Sequence, residues 1–118
     1  MIKFKSLKSS KDFVKILKKS KLNTRYFTIY FDKNSTNFNK YLNISFVIKK
    51  KLGNAVKRNK IKRKLKSAVQ KILKGNQVID LNYTYVILGK RDAYKDKFAL
   101  VFNEVNDVFK KIKRKDNY

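Results

Sequence analysis

The sequence predicts an α+β fold, a single-domain sandwich in which helices lie against a sheet of about four strands, in the order α-β-β-(β)-α-β-α. Two observations carry that reading. Stretches with apolar residues at period two alternate along the chain with stretches at helical period. Hydrophobic residues make up 42% and aromatics 14% of the 118 residues, enough for one modest core and too short a chain for two. No repeat, low-complexity tract or linker divides it, so 1–118 reads as one domain, and the pattern leaves open whether the ends 1–8 and 115–118 are ordered.

Ser9 followed by Asp12 is a helix-start pattern, because hydroxyl and carboxylate can satisfy the free amides of a first turn. Phe13, Ile16 and Leu17 then fall on one face, predicting a short helix over 10–19. The aromatic and β-branched run 25–32 predicts a strand. Its alternation sets Tyr26, Thr28 and Tyr30 against Phe27, Ile29 and Phe31, with both faces covered. The polar stretch 33–40 reads as a hairpin loop, and 41–49 alternates Leu42, Ile44, Phe46 and Ile48 with Asn43, Ser45, Val47 and Lys49, a second strand. A basic turn through Gly53 leads into a long amphipathic helix over 55–74, with Ile61, Leu65, Ala68, Val69, Ile72 and Leu73 inward and Gly75-Asn76 as its stop. The near-continuous apolar run 83–89 suits a central strand buried on both faces. A last helix over 94–114 carries Phe98, Val101, Phe102, Val105, Val108, Phe109 and Ile112 at helical spacing.

Charge narrows the chemistry. Thirty-two Lys plus Arg against 8 Asp plus Glu give +24, which calls for a polyanionic partner. With no Cys and no His, thiol nucleophiles, disulfides, imidazole catalysis and His- or Cys-ligated metals are excluded. The carboxylates are scattered; the pairs Asp92/Asp96 and Glu104/Asp107 read as softening the charge of the last helix rather than holding metal. No run approaches the roughly 18 apolar residues of a membrane span, and no signal-peptide-like stretch follows the basic N-terminus, so the chain reads as soluble, cytoplasmic and without membrane partners.

The informative stretch is KKKLGNAVKRNKIKRKLKSA, residues 49–68. On a helix of about 100° per residue, Arg58, Lys62 and Lys66 stack beside the apolar face, with Asn59 and Arg63 in the adjoining rank. Lys supplies point charge, Arg58 and Arg63 can fork onto phosphate, and Asn59 can bond a phosphate, a ribose hydroxyl or a base edge. Seven cations from Lys57 to Lys66 include no carboxylate between them, so their repulsion must be relieved from outside. Among the aromatics, Phe13, Phe27, Phe31 and Tyr83 read as core, while Tyr26 and Tyr30 stand open between core and base stacking.

GNAVKRNKIKR closely resembles the signature of the bacterial ribonuclease P protein component, matching at Gly53, Asn54, Ala55, Val56, Arg58, Asn59, Lys62 and Arg63. The Asp12-Phe13 helix, the aromatic first strand and the strand before Lys90-Arg91 also fall where that family has them. The resemblance implies a ribosomal protein S5 domain 2-like fold with a left-handed βαβ crossover. It implies a protein subunit, itself without catalytic residues, of an endoribonuclease whose RNA holds the active site and removes the 5′ leader of precursor tRNA. Lys50, Lys51, Arg58, Asn59, Lys62, Arg63 and Lys66 would then face the catalytic RNA, and Phe13, Leu17, Tyr30 and Val47 would border a cleft for the single-stranded leader. No cofactor or metal is assigned to the protein, Mg2+ being expected through the RNA, and the partners are the catalytic RNA and precursor tRNA, with no obligate protein partner. A structural RNA-binding protein, such as a small ribosomal protein, and a stand-alone two-metal nuclease are the competing readings.

Overall fold

The computed structural model describes residues 3–7, 10–33, 41–75 and 78–115. In chain order the elements are β1 (Lys3–Lys5), α1 (Ser10–Leu17), β2 (Ser20–Asn23), β3 (Phe27–Lys33), β4 (Tyr41–Val47), a 3-10 turn (Lys50–Leu52), α2 (Ala55–Gly75), β5 (Tyr83–Gly89), α3 (Asp92–Lys95) and α4 (Phe98–Lys115). The sheet has five strands in the order β1-β4-β5-β3-β2. β4 runs parallel to both β1 and β5, while β3 runs antiparallel to β5 and β2, so α2 is the crossover between two adjacent parallel strands.

One face of this sheet carries the main core. Ile44 of β4 and Tyr85 and Ile87 of β5 meet Ile61, Leu65, Ala68, Val69 and Ile72 of α2, and α4 closes the layer with Val101, Val105, Phe109 and Ile112. Tyr85 and Phe109 meet edge to face at 5.1 Å, a favoured aromatic geometry. The sheet packs tightly against α2 at Gly89. A Cβ there would lie 2.5 Å from Ile48 Cδ1 and 2.9 Å from Ile61 Cγ2, so only glycine lets the helix seat directly on β5.

The opposite face is narrower. The register aligns Lys21, Tyr30, Val86 and Ser45 in one row and Asn23, Thr28, Leu88 and Val47 in the next. α1 lies on this side, because Asp12, Lys15 and Ile16 share a cavity with Asp32 and Thr84, which are cross-strand partners on that face. Ile16 and Val86 are buried there. The predicted two-sided covering of β3 is therefore correct from Phe27 to Phe31.

Several boundaries differ from the sequence expectation, each for a local reason. The sheet has five strands rather than about four, because β1 (KFK) and β2 (SKLN) are short edge strands with one apolar residue each and no alternation to read. The last helix is broken at Asp96, which is extended (φ −83°, ψ 158°). Lys64 Nζ donates to the carbonyls of Tyr94 (3.3 Å) and Asp96 (2.8 Å), taking up acceptors that a continuous helix would use itself. α1 ends at Leu17, and β4 ends at Val47 before the 3-10 turn. Tyr26 precedes β3 instead of lying on the Tyr30 face, and it is buried in the main core. The expected loop through residues 34–40, Ser9 and Asn76 lie outside the described residues.

Candidate nucleic-acid interface

The interface begins with how α2 starts. Gly53 has φ +143°, in the region that favours glycine, and a Cβ there would meet Lys57 Cδ at 3.0 Å. Asn54 Oδ1 then accepts the Lys57 amide at 3.0 Å, while the Asn54 carbonyl accepts the Arg58 amide at 3.0 Å. Asn54 is therefore the N-cap of the helix, and the Gly-Asn pair sets where the cationic ranks begin. It also ties the basic turn that holds exposed Lys50 and Lys51 to the end of the same helix.

With the core face turned inward, α2 presents two flanks and an outer crest. One flank faces α3 and α4, and its lysines lie against groups of those elements. Besides the two bonds of Lys64, Lys57 Nζ and Lys60 Nζ each lie 5.8 Å from the Tyr94 ring centroid, and Lys71 Nζ lies 5.6 Å from that of Phe102. The other flank, Arg58, Lys62 and Lys66, faces the β4 edge, and Asn59 and Arg63 form the crest. Lys62, Lys66, Asn59 and Arg63 are exposed. Arg58 is half-buried, with an Nε that finds no acceptor among the described residues. Among those residues no cation from Lys57 to Lys66 pairs with a carboxylate. Of the seven predicted RNA-facing residues, Lys62 and Lys66 thus meet at the β4 edge, Arg58, Asn59 and Arg63 lie beside them on α2, and Lys51 instead lines a cavity with Lys57 on the α3 side.

The four cleft candidates belong to a second surface. Tyr30 and Val47 lie half-buried on the same sheet face, in adjacent rows, with Val86 and Leu88 of β5 between them. From α1, Phe13 is half-buried and Leu17 is 46% exposed. Phe13 also lines a cavity at the β4 edge with Lys62 and Lys66, so the two surfaces meet.

Comparison with known proteins gives this arrangement a lineage. The family model described as Ribonuclease P matches residues 1–113. The chain belongs to that family. It is 29% identical over 117 residues to the ribonuclease P protein component of Mesomycoplasma hyopneumoniae, covering 98% of this chain and 99% of the relative. To that of Macrococcus caseolyticus it is 44% identical over 96 residues, covering 80% and 67%. A mutant Staphylococcus aureus RNase P protein superposes with a TM-score of 0.74 at 27% identity, covering 92% of this chain and 87% of that one. This protein is thus a ribonuclease P protein subunit, part of an endoribonuclease complex of tRNA processing. The comparisons lend nothing to the ribosomal alternative.

Within this ribonuclease P protein the acidic residues have structural work. Arg25 Nε donates to Asp92 Oδ2 at 3.3 Å, and its guanidinium lies 3.8 Å from Asp96. The Tyr26 hydroxyl donates to Asp96 Oδ2 at 2.6 Å. That bond to a carboxylate, aided by burial, pushes the Tyr26 phenol above its ordinary range. The bond to Asp92, with Asp96 adding, likewise raises Arg25. Among the described residues no group of three or more acidic side chains could hold a metal ion. No helix among them is long and apolar enough to cross a membrane.

Sequence spacing does not reveal one convergence. Lys51, Lys57, Arg91 and Lys95 line a cavity of about 380 Å³ beside Gly53 and Tyr94. Arg91 and Lys95 come from beyond β5, so only the crossover brings them to the start of α2. Lys90, next door, is spent inside, its Nζ donating to Asn23 Oδ1 and, at 2.6 Å, to the Thr24 carbonyl.

Proposed function

We propose that this subunit binds the catalytic RNA of ribonuclease P through Lys50, Lys51, Arg58, Asn59, Lys62, Arg63 and Lys66. On this reading it holds the 5′ leader of precursor tRNA in the groove bordered by Phe13, Leu17, Tyr30 and Val47. The RNA supplies the active site and its Mg2+, cutting takes place in the cytoplasm, and the protein positions the substrate. The observation that carries the reading is the split in α2: Lys64 of one flank donates to two carbonyls of the fold, while the side chains of Arg58, Lys62, Arg63 and Lys66 make no hydrogen bond or ion pair among the described residues. Phosphates satisfy such a rank, and each one neutralised releases counterions. The sheet groove suits the leader because Tyr30 can stack a base while its hydroxyl stays wet.

The test is an added-back cleavage assay with the cognate catalytic RNA. The full chain should raise turnover of precursor tRNA at physiological magnesium, and the holoenzyme should bind leader-bearing precursor more tightly than mature tRNA. A chain that neither associates with the RNA nor raises its turnover contradicts the proposal. Cutting by the protein alone, abolished by Asp92→Asn, would instead establish the stand-alone nuclease.

A further inference from the structure

β1 covers the outer side of β4 only along Tyr41–Asn43. Beyond it, the Leu7 amide donates to Ser45 Oγ at 2.9 Å, and no strand flanks β4 from Ile44 to Val47 on that side among the described residues. A cavity of about 260 Å³ opens there, between Phe13 of α1 and Lys62 and Lys66 of α2. Its aromatic wall is Phe4 and Phe46, both half-buried, stacked with ring centroids 6.3 Å apart and 28° between planes. Lys66 Nζ stands 6.0 Å from the Phe4 ring centroid, and no carboxylate among the described residues lines the cavity.

We propose that this cavity is a base-stacking subsite for one unpaired nucleotide of the precursor leader, with the base against Phe4 and Phe46, beside the lysines that reach the catalytic RNA. The inference rests on the proposed function and extends it beyond the groove. Two features point to a single-stranded nucleotide. An aromatic wall offers a π-face to any base, and a cationic rim with no acid among its described lining residues does not repel the backbone that carries it. The leader is the strand that fits, because the row Lys21, Tyr30, Val86 and Ser45 crosses the groove to the β4 edge, around which Phe4 and Phe46 stand on the α2 side, and Phe13 and Ser45 line the cavity with them.

The test uses reconstituted holoenzyme and precursor tRNAs with long and short leaders, plus long leaders abasic at each position in turn. Phe46→Leu and Phe4→Leu keep an apolar side chain on the core, and thermal melting checks that both fold. Each should weaken long-leader precursor by about five- to tenfold and leave the short-leader one unchanged. One abasic position should give the same loss with the wild-type protein and none with the variants. Equal losses on both leaders, no loss on either, or no abasic position whose effect the variants erase would overturn the subsite. If wild type retains its preference for leader-bearing precursor in those cases, the proposed function stands without it. If wild type shows no such preference, both fall.

Discussion

The two flanks of α2 have nearly the same composition and opposite fates. On the α3/α4 side, Lys57, Lys60, Lys64 and Lys71 lie against aromatic rings and carbonyl oxygens. On the β4 side and the crest, Arg58, Lys62, Arg63 and Lys66 meet no acid among the described residues. A run of seven cations read in one dimension therefore divides: Lys57, Lys60 and Lys64 lean on α3 and the break after it, whereas Arg58, Lys62 and Arg63 have no such neighbour among the described residues and Lys66 has only the Phe4 ring. Which residue does which depends only on how the helix is rotated against the sheet.

The largest effect expected is from the surface. Replacing Arg58, Lys62, Arg63 and Lys66 together with Ala should weaken catalytic-RNA binding by about a hundredfold at physiological salt. The melting temperature should stay within a few degrees, as measured by circular dichroism. A large loss of stability instead would erase the distinction between the flanks. Next comes the seat that sets the rotation. Gly89→Ala should destabilise the fold by about 1–3 kcal/mol in urea unfolding, since its Cβ would meet Ile48 and Ile61. Lys64→Ala should cost about 1–3 kcal/mol by leaving the Tyr94 and Asp96 carbonyls without their charged donor.

The smallest effect concerns Tyr26. Its raised folded-state pKa means that the folded chain holds the phenolic proton more tightly than the unfolded chain. The stabilisation is complete below the ordinary tyrosine value of about 10 and is lost as pH rises through the raised one. Wild type should therefore lose stability relative to Tyr26→Phe only in that alkaline window, in melts recorded from pH 8 upward.

Much of this was legible from the sequence, for physical reasons. α2 and β5 are long or two-sided elements whose burial imposes a strong period, and their limits agree with the pattern to within a residue. The turn at Gly53 could be read because a positive φ demands glycine, whereas the cap by Asn54 Oδ1 emerges only from the structure. Edge strands β1 and β2 could not, because partnership on one side leaves little apolar pattern. The break at Asp96 was also hidden: Lys64, some 32 residues earlier, takes the carbonyls there, and local spacing carries no trace of that. Tyr26 misled for a similar reason, its hydroxyl being claimed by Asp96 across the fold. The cluster of Lys51, Lys57, Arg91 and Lys95 exists only once the crossover is made.

On the proposed function, one side of α2 meets phosphate and the other does not. The most direct measurement is the salt dependence of catalytic-RNA affinity for Lys62→Ala and Lys64→Ala side by side, in the full-length chain. The slope of log affinity against log salt should shallow by about 0.7–0.9 for Lys62→Ala and remain at the wild-type value for Lys64→Ala. Equal slopes for the two variants, whether both changed or both unchanged, would contradict the account.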